Sequence, residues 1–163
     1  MSTTAAVTNP IIEQYKFHSK KFTDATTGWN EADAESQIGK ANKVKWLTGH
    51  LVSTRYLIAW ILGMQEMEPY GEIFAQGKGA IEGTKYPTMA ELTKDWDDIS
   101  NKVLARLESM TEADWDAPGA PFPLPMADGT RKGSMLYLIS FHEAYTIGQI
   151  GYARRMHNMD AVK

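Results

Sequence analysis

Three of the four histidines in this 163-residue chain, His18, His50 and His142, fall on apolar stripes with helical spacing. Each lies near the middle of its segment. Where helices run side by side, mid-helix residues share a similar depth, and facing side chains are how such folds build metal and cofactor sites. Neutral imidazole is a ligand for Zn, Ni or Fe, with carboxylate or water completing the shell. The same residues suit a second role, as hydrogen-bonded core histidines. An unpaired buried imidazole costs about 1–3 kcal/mol, so something must satisfy each of them. Spacing leaves both roles open. The chain has no cysteine, which removes disulfides, Cys-type zinc fingers, iron–sulfur clusters and a catalytic thiolate. Any transition-metal site must be built from His and carboxylate.

Four long helices are expected to position these residues. The first starts at Asn9-Pro10, a capping Asn followed by Pro at the first helical position. Its stripe is Ile11, Tyr15, His18, Phe22 and Ala25. The second runs from about Ile38 to Leu62, with Gly63 as its stop. Its buried face is Val44, Leu47, Leu51, Ile58 and Ile61, with His50 and Thr54 on it. Residues 64–87 form a loop long enough to invite a functional or topological reason, such as a crossover. The third helix opens on a capping box, Thr88 to Glu91, and carries Met89, Leu92, Trp96, Ile99, Val103 and Leu107. Thr111–Asp114 reads as a shorter capped turn. Residues 116–133 hold four prolines and three glycines, which forbid helix and give a stiff loop able to cover the mouth of the fold. The fourth helix begins near Thr130–Ser134 and runs to about His157, with Asn158 as its cap. Its inner face is Met135, Leu138, Ile139, His142, Thr146, Gln149, Ile150 and Ala153. The expected fold class is all-α, a four-helix bundle. Residues 1–8 read as a disordered arm, and 9–163 as a single domain.

Composition limits the partners. Seventeen Lys+Arg against twenty Asp+Glu give a net charge of −3, poorly suited to a phosphate backbone, so no nucleic acid is expected. The longest apolar run, Tyr56–Leu62, is seven residues, well short of the roughly 18 needed for a membrane span. The first ten residues lack a basic and an apolar region, so a cytoplasmic protein is expected. Trp46, Trp60, Trp96 and Trp115 read as core, and His157 as solvated.

Trp46-Leu47-Thr48-Gly49-His50-Leu51 resembles the W-x-x-x-H-[LI] element of the DinB/YfiT-like superfamily. Phe141 to Ile150, reading FHEAYTIGQI, resembles its fourth-helix H-E-x-x-H-x-G-Q-[IVL] element. The order of elements agrees over about residues 10–157. The resemblance implies up-down-down-up topology with a long crossover between helices 2 and 3, and a homodimer. It also implies a divalent metal, Ni or Zn, held by one His of helix two and two residues four apart on helix four. Relatives of this kind use low-molecular-weight thiols as transferases or isomerases, so a metal-dependent thiol transferase or hydrolase with a small-molecule substrate is the implied activity. The alternative is a metal-free, non-catalytic small-molecule-binding or stress-related dimer.

His50 and His142 occupy the first two ligand positions, and Thr146 stands where the pattern has His. Thr is a poor ligand for Zn or Ni at neutral pH. Three accounts follow. The site is degenerate, with His50, His142, Thr146 and Gln149 in a hydrogen-bonded cluster; or His18 completes it; or two histidines bind metal weakly, with water or ligand filling the rest. Thr54, Tyr145, Thr146 and Gln149 are the expected pocket residues. Glu143 sits about 100° around the helix from His142 and is expected in a surface or inter-helix ion pair.

Overall fold

The computed structural model describes residues 9–37, 39–71, 73–74, 79–125 and 127–162. The expected arm at 1–8 and the expected helix start at Ile38 lie outside them. Among the described residues the chain is all-helical, with one isolated antiparallel bridge between Pro118 and Thr130.

Local chemistry sets most helix ends where the sequence places them. Helix α1 (Pro10–Thr26) is capped by Asn9, whose side chain accepts from the Ile11 amide at 3.0 Å. Helix α4 (Met89–Glu108) and the short α5 (Glu112–Asp116) both open on complete capping boxes, from Thr88 with Glu91 and Thr111 with Asp114. Helix α3 (Val44–Ile61) ends at Gly63, which takes φ +79° while the Met64 amide reaches back to the Ala59 carbonyl.

Two boundaries differ from expectation. Helix α3 starts six residues later than the expected Ile38. Gly39 is left-handed at φ +57°, and the Gln37 amide donates to the carbonyls of Gly39 and Ala41, so this stretch is a side-chain-stabilised turn. A short helix precedes it, α2 (Glu31–Glu35), capped by Asn30. Asn30 followed by Asp33 is a cap signature that marks it in the sequence. Lys45, nearly buried on α3, is held by Glu31 at 2.5 Å and Glu35 at 2.6 Å, which pins α2 to α3.

The last helix is not uniform. Helix α6 (Arg131–Met135) passes into a π-helical segment, Leu136–Glu143, and then into α7 (Ala144–Met156). A π turn acts as an added residue and shifts the face that follows. The buried set accordingly gains Glu143, Ile147 and Arg154, beside the expected Thr146, Ile150 and Ala153. Asn158, left-handed at φ 56°, closes α7.

Helix α3 packs on α4, α4 on α1, α1 on α7, and α7 on α3. Two apolar cores lie inside this ring. One holds Phe22, Leu47, Leu51, Trp96, Ile147 and Ile150; the other holds Tyr15, Ile58, Ile99, Val103, Leu138 and Ile139. Helices α3 and α4 run from the first core to the second. Helix α1 and the last helix run the other way. Between the cores lies a polar layer of His18, His50, Thr54, Arg55 and Glu143, all buried. Trp46, Trp96 and Trp115 are buried as expected. Trp60 is a correction: it is half exposed, because it lies at the mouth of a cavity. His157 is not simply solvated either; its ring meets Trp29 edge-on and its Nε2 lies 3.0 Å from Ser36 Oγ.

Candidate functional site

The site begins with the i, i+4 pair of α3. The Trp46 and His50 rings stack 4.8 Å apart and 12° from parallel. Each donates to the crossover loop: Trp46 Nε1 to the Ile73 carbonyl at 3.2 Å, and His50 Nδ1 to the Phe74 carbonyl at 2.7 Å. Gly49 makes this possible. A Cβ on Gly49 would stand 2.2 Å from the Phe74 ring, so only glycine lets Phe74 lie against the helix. The distinctive residues of the Trp46–Leu51 motif thus divide the local work. Trp46 stacks, Gly49 makes room and His50 reaches the carbonyl.

From the π-helical segment, His142 places its Nε2 3.0 Å from Nε2 of His50. The proton positions follow by elimination. Phe74's carbonyl only accepts, so His50 carries its proton on Nδ1. Its Nε2 is then a lone pair, which accepts from Nε2–H of His142. Nδ1 of His142 is left buried with no hydrogen-bond partner. Both imidazoles are held neutral. Burial lowers the pKa of His50, against the Phe74 carbonyl. Burial, and then the neighbouring His50, push His142 down to about 4, against Glu143.

Of the other expected pocket residues, Thr54 lines the same cavity as the two histidines, and Tyr145, Thr146 and Gln149 go elsewhere. Thr146 is buried, but its hydroxyl donates to the His142 carbonyl one turn back, at 2.9 Å. Thr54 likewise donates to the His50 carbonyl at 2.8 Å, and its side of α3 lines the cavity. His18 turns to Glu143, with Nδ1 3.4 Å from Oε2. Glu143 forms an inter-helix ion pair, as one of the two expected alternatives had it, and the pair is wholly buried. Its oxygens accept from Arg55 Nε at 2.5 Å and Nη2 at 2.9 Å. Arg55, which the sequence reading did not single out, lies between the Tyr15 ring at 3.6 Å and the Trp96 ring at 4.1 Å. Tyr145 and Gln149 line a separate groove of about 380 Å³ with Leu47 and Tyr152.

Two His nitrogens each about 2.0–2.1 Å from one tetrahedral ion stand roughly 3.3 Å apart. The observed 3.0 Å is close to that, so His50 and His142 fit two ligand positions. The implied third position does not fit: Thr146 is engaged with backbone, and Glu143 with Arg55. Among the described residues no three His, Asp or Glu side chains group as a metal-holding set.

His50 and His142 form one wall of a cavity of about 400 Å³. Tyr56, Leu57, Trp60, Phe74, Tyr137 and Leu138 make it largely apolar, and Phe122 and Leu124 reach in from the Pro-rich loop. Ser53, Thr54, Glu66 and Glu68 supply further polar groups.

A profile of the DinB superfamily matches residues 14–150, which include both histidines and the whole polar layer. The chain belongs to the DinB superfamily. No curated protein matches the sequence. Among the described residues no helix is long and apolar enough to cross a membrane.

Proposed function

We propose that this DinB-superfamily protein is a small-molecule-binding four-helix bundle, with the neutral His50–His142 pair as the polar wall of its pocket. The observation that carries this reading is the 3.0 Å Nε2 contact facing a largely apolar cavity of about 400 Å³. A concave apolar pocket with a few convergent polar groups is the usual form of a ligand site. Up-down-down-up topology is supported by the order in which each helix passes the two cores. A homodimer is supported by an exposed line on the last helix, where Phe141, Tyr145, Tyr152 and Met156 are each more than half exposed.

A second reading, a metal-dependent transferase or hydrolase acting on a small thiol or electrophile, is favoured by the near-chelating spacing of the two Nε2 atoms. His50 also donates its Nδ1–H to a carbonyl, as metal-bound imidazoles do. Ni or Zn held there by His50 and His142 would acidify a bound thiol or water. The first reading stands ahead because the third ligand position is engaged elsewhere.

A fragment screen by NMR tests it. Binders are expected to shift the imidazole resonances of His50 and His142 together with the Trp60 indole. Binders that shift only residues outside this pocket would overturn the reading.

A further inference from the structure

The pocket has a charge preference as well as a shape. Among the described residues two acidic side chains line it, Glu66 and Glu68, and no Lys or Arg does. Glu66 is paired with Lys102 at 2.7 Å, a residue outside the lining. Glu68 meets no cation among the described residues; its Oε1 accepts from the Ser53 hydroxyl at 2.8 Å. Five aromatic side chains, Tyr56, Trp60, Phe74, Phe122 and Tyr137, also line it. Aromatic faces attract cations through their quadrupole, most strongly for Trp. An anionic ligand would lose its hydration here and meet no counter-charge, which a largely apolar site cannot offset.

We propose that the pocket takes an organic cation, an amine or quaternary ammonium group on an apolar or aromatic body. This rests on the reading of the cavity as a small-molecule site. The cationic head lies at Glu68 and Trp60, and the apolar body packs toward Phe74 and Leu138. The same arrangement disfavours ligands with free carboxylates or phosphates.

Three probes of nearly equal shape test the proposal: phenyltrimethylammonium, tert-butylbenzene and benzenesulfonate. Each is titrated into the whole protein while the Trp60 indole is followed by NMR, its resonance assigned with Trp60→Phe. The cation is expected to bind about fivefold or more tighter than the neutral probe, and the sulfonate weakest. Glu68→Gln should remove most of that preference and leave tert-butylbenzene unchanged. Equal or weaker binding of the cation, with the neutral probe still shifting Trp60, overturns this proposal alone. A preference that survives Glu68→Gln also overturns it. Failure of all three probes to shift Trp60 overturns it together with the small-molecule reading.

Discussion

His50 and His142 each have one nitrogen that must carry the proton, and the assignment is measurable. Long-range ¹H–¹⁵N NMR at pH 7 should show His50 as the Nδ1–H tautomer and His142 as the Nε2–H tautomer, because the Phe74 carbonyl can only accept. The opposite tautomer at His50 would remove the basis of the pair. The pair also makes folding pH-dependent. His142 titrates at about 4 when folded, against an ordinary value of 6.5. The unfolded chain therefore takes up its proton first, and stability present above about pH 6.5 is lost as pH falls toward 4. The loss is on the order of 3 kcal/mol. His50 is shifted in the same direction. Urea unfolding of His142→Gln should show a shallower acid dependence over that window. Gly49 is the other decisive residue. Gly49→Ala would drive a methyl into Phe74, and is expected to cost about 1–3 kcal/mol in denaturant unfolding. It should also shift the His50 Nδ1–H resonance, since the carbonyl it reaches moves with Phe74.

At the level of elements, the buried Arg55–Glu143 pair ties α3 to the start of α7. Taking two charges out of water is expensive, and removing one leaves the other uncompensated. Arg55→Met or Glu143→Leu alone should each cost about 3–5 kcal/mol, while the double variant should recover much of the loss. A double variant no better than the worse single would contradict the account. How far these elements were legible in the sequence varies with the signal. The stripes and caps of α1, α4 and α5 were readable because side-chain spacing and capping chemistry are local. Hydrophobic periodicity over-extends helix α3, because a turn made by Gln37 and Gly39 leaves little mark in it. The π-helical segment was not legible at all: Leu136–Glu143 reads as ordinary helix, and only packing shows the extra residue. That extra residue brings Glu143 inside. It also explains why its ion pair could be expected but not its burial. Arg55 leaves no mark in the sequence for a different reason: its partner lies 88 positions away.

For the whole molecule, the polar layer between two apolar cores brings mid-helix histidines to one depth, as their positions in the sequence implied. It does not bring all three together. His50 and His142 meet at the cavity, while His18 is drawn to Glu143. The exposed line on the last helix belongs to this scale too. Tyr145→Glu with Tyr152→Glu should turn the proposed dimer into a monomer by light scattering, without loss of helicity. An unchanged mass with the double variant would place the interface elsewhere. The central claim concerns the pair at the cavity wall, with Thr146 at the position where the resemblance implies a third ligand. Metal content of protein purified without chelator, before and after addition of Zn or Ni, tests it most directly, with Thr146→His alongside. The account predicts less than about 0.1 metal per chain for the natural sequence, and a clear gain in the variant once three ligands stand on one site. Near-stoichiometric metal in the natural sequence, lost in His50→Ala or His142→Ala, would contradict it.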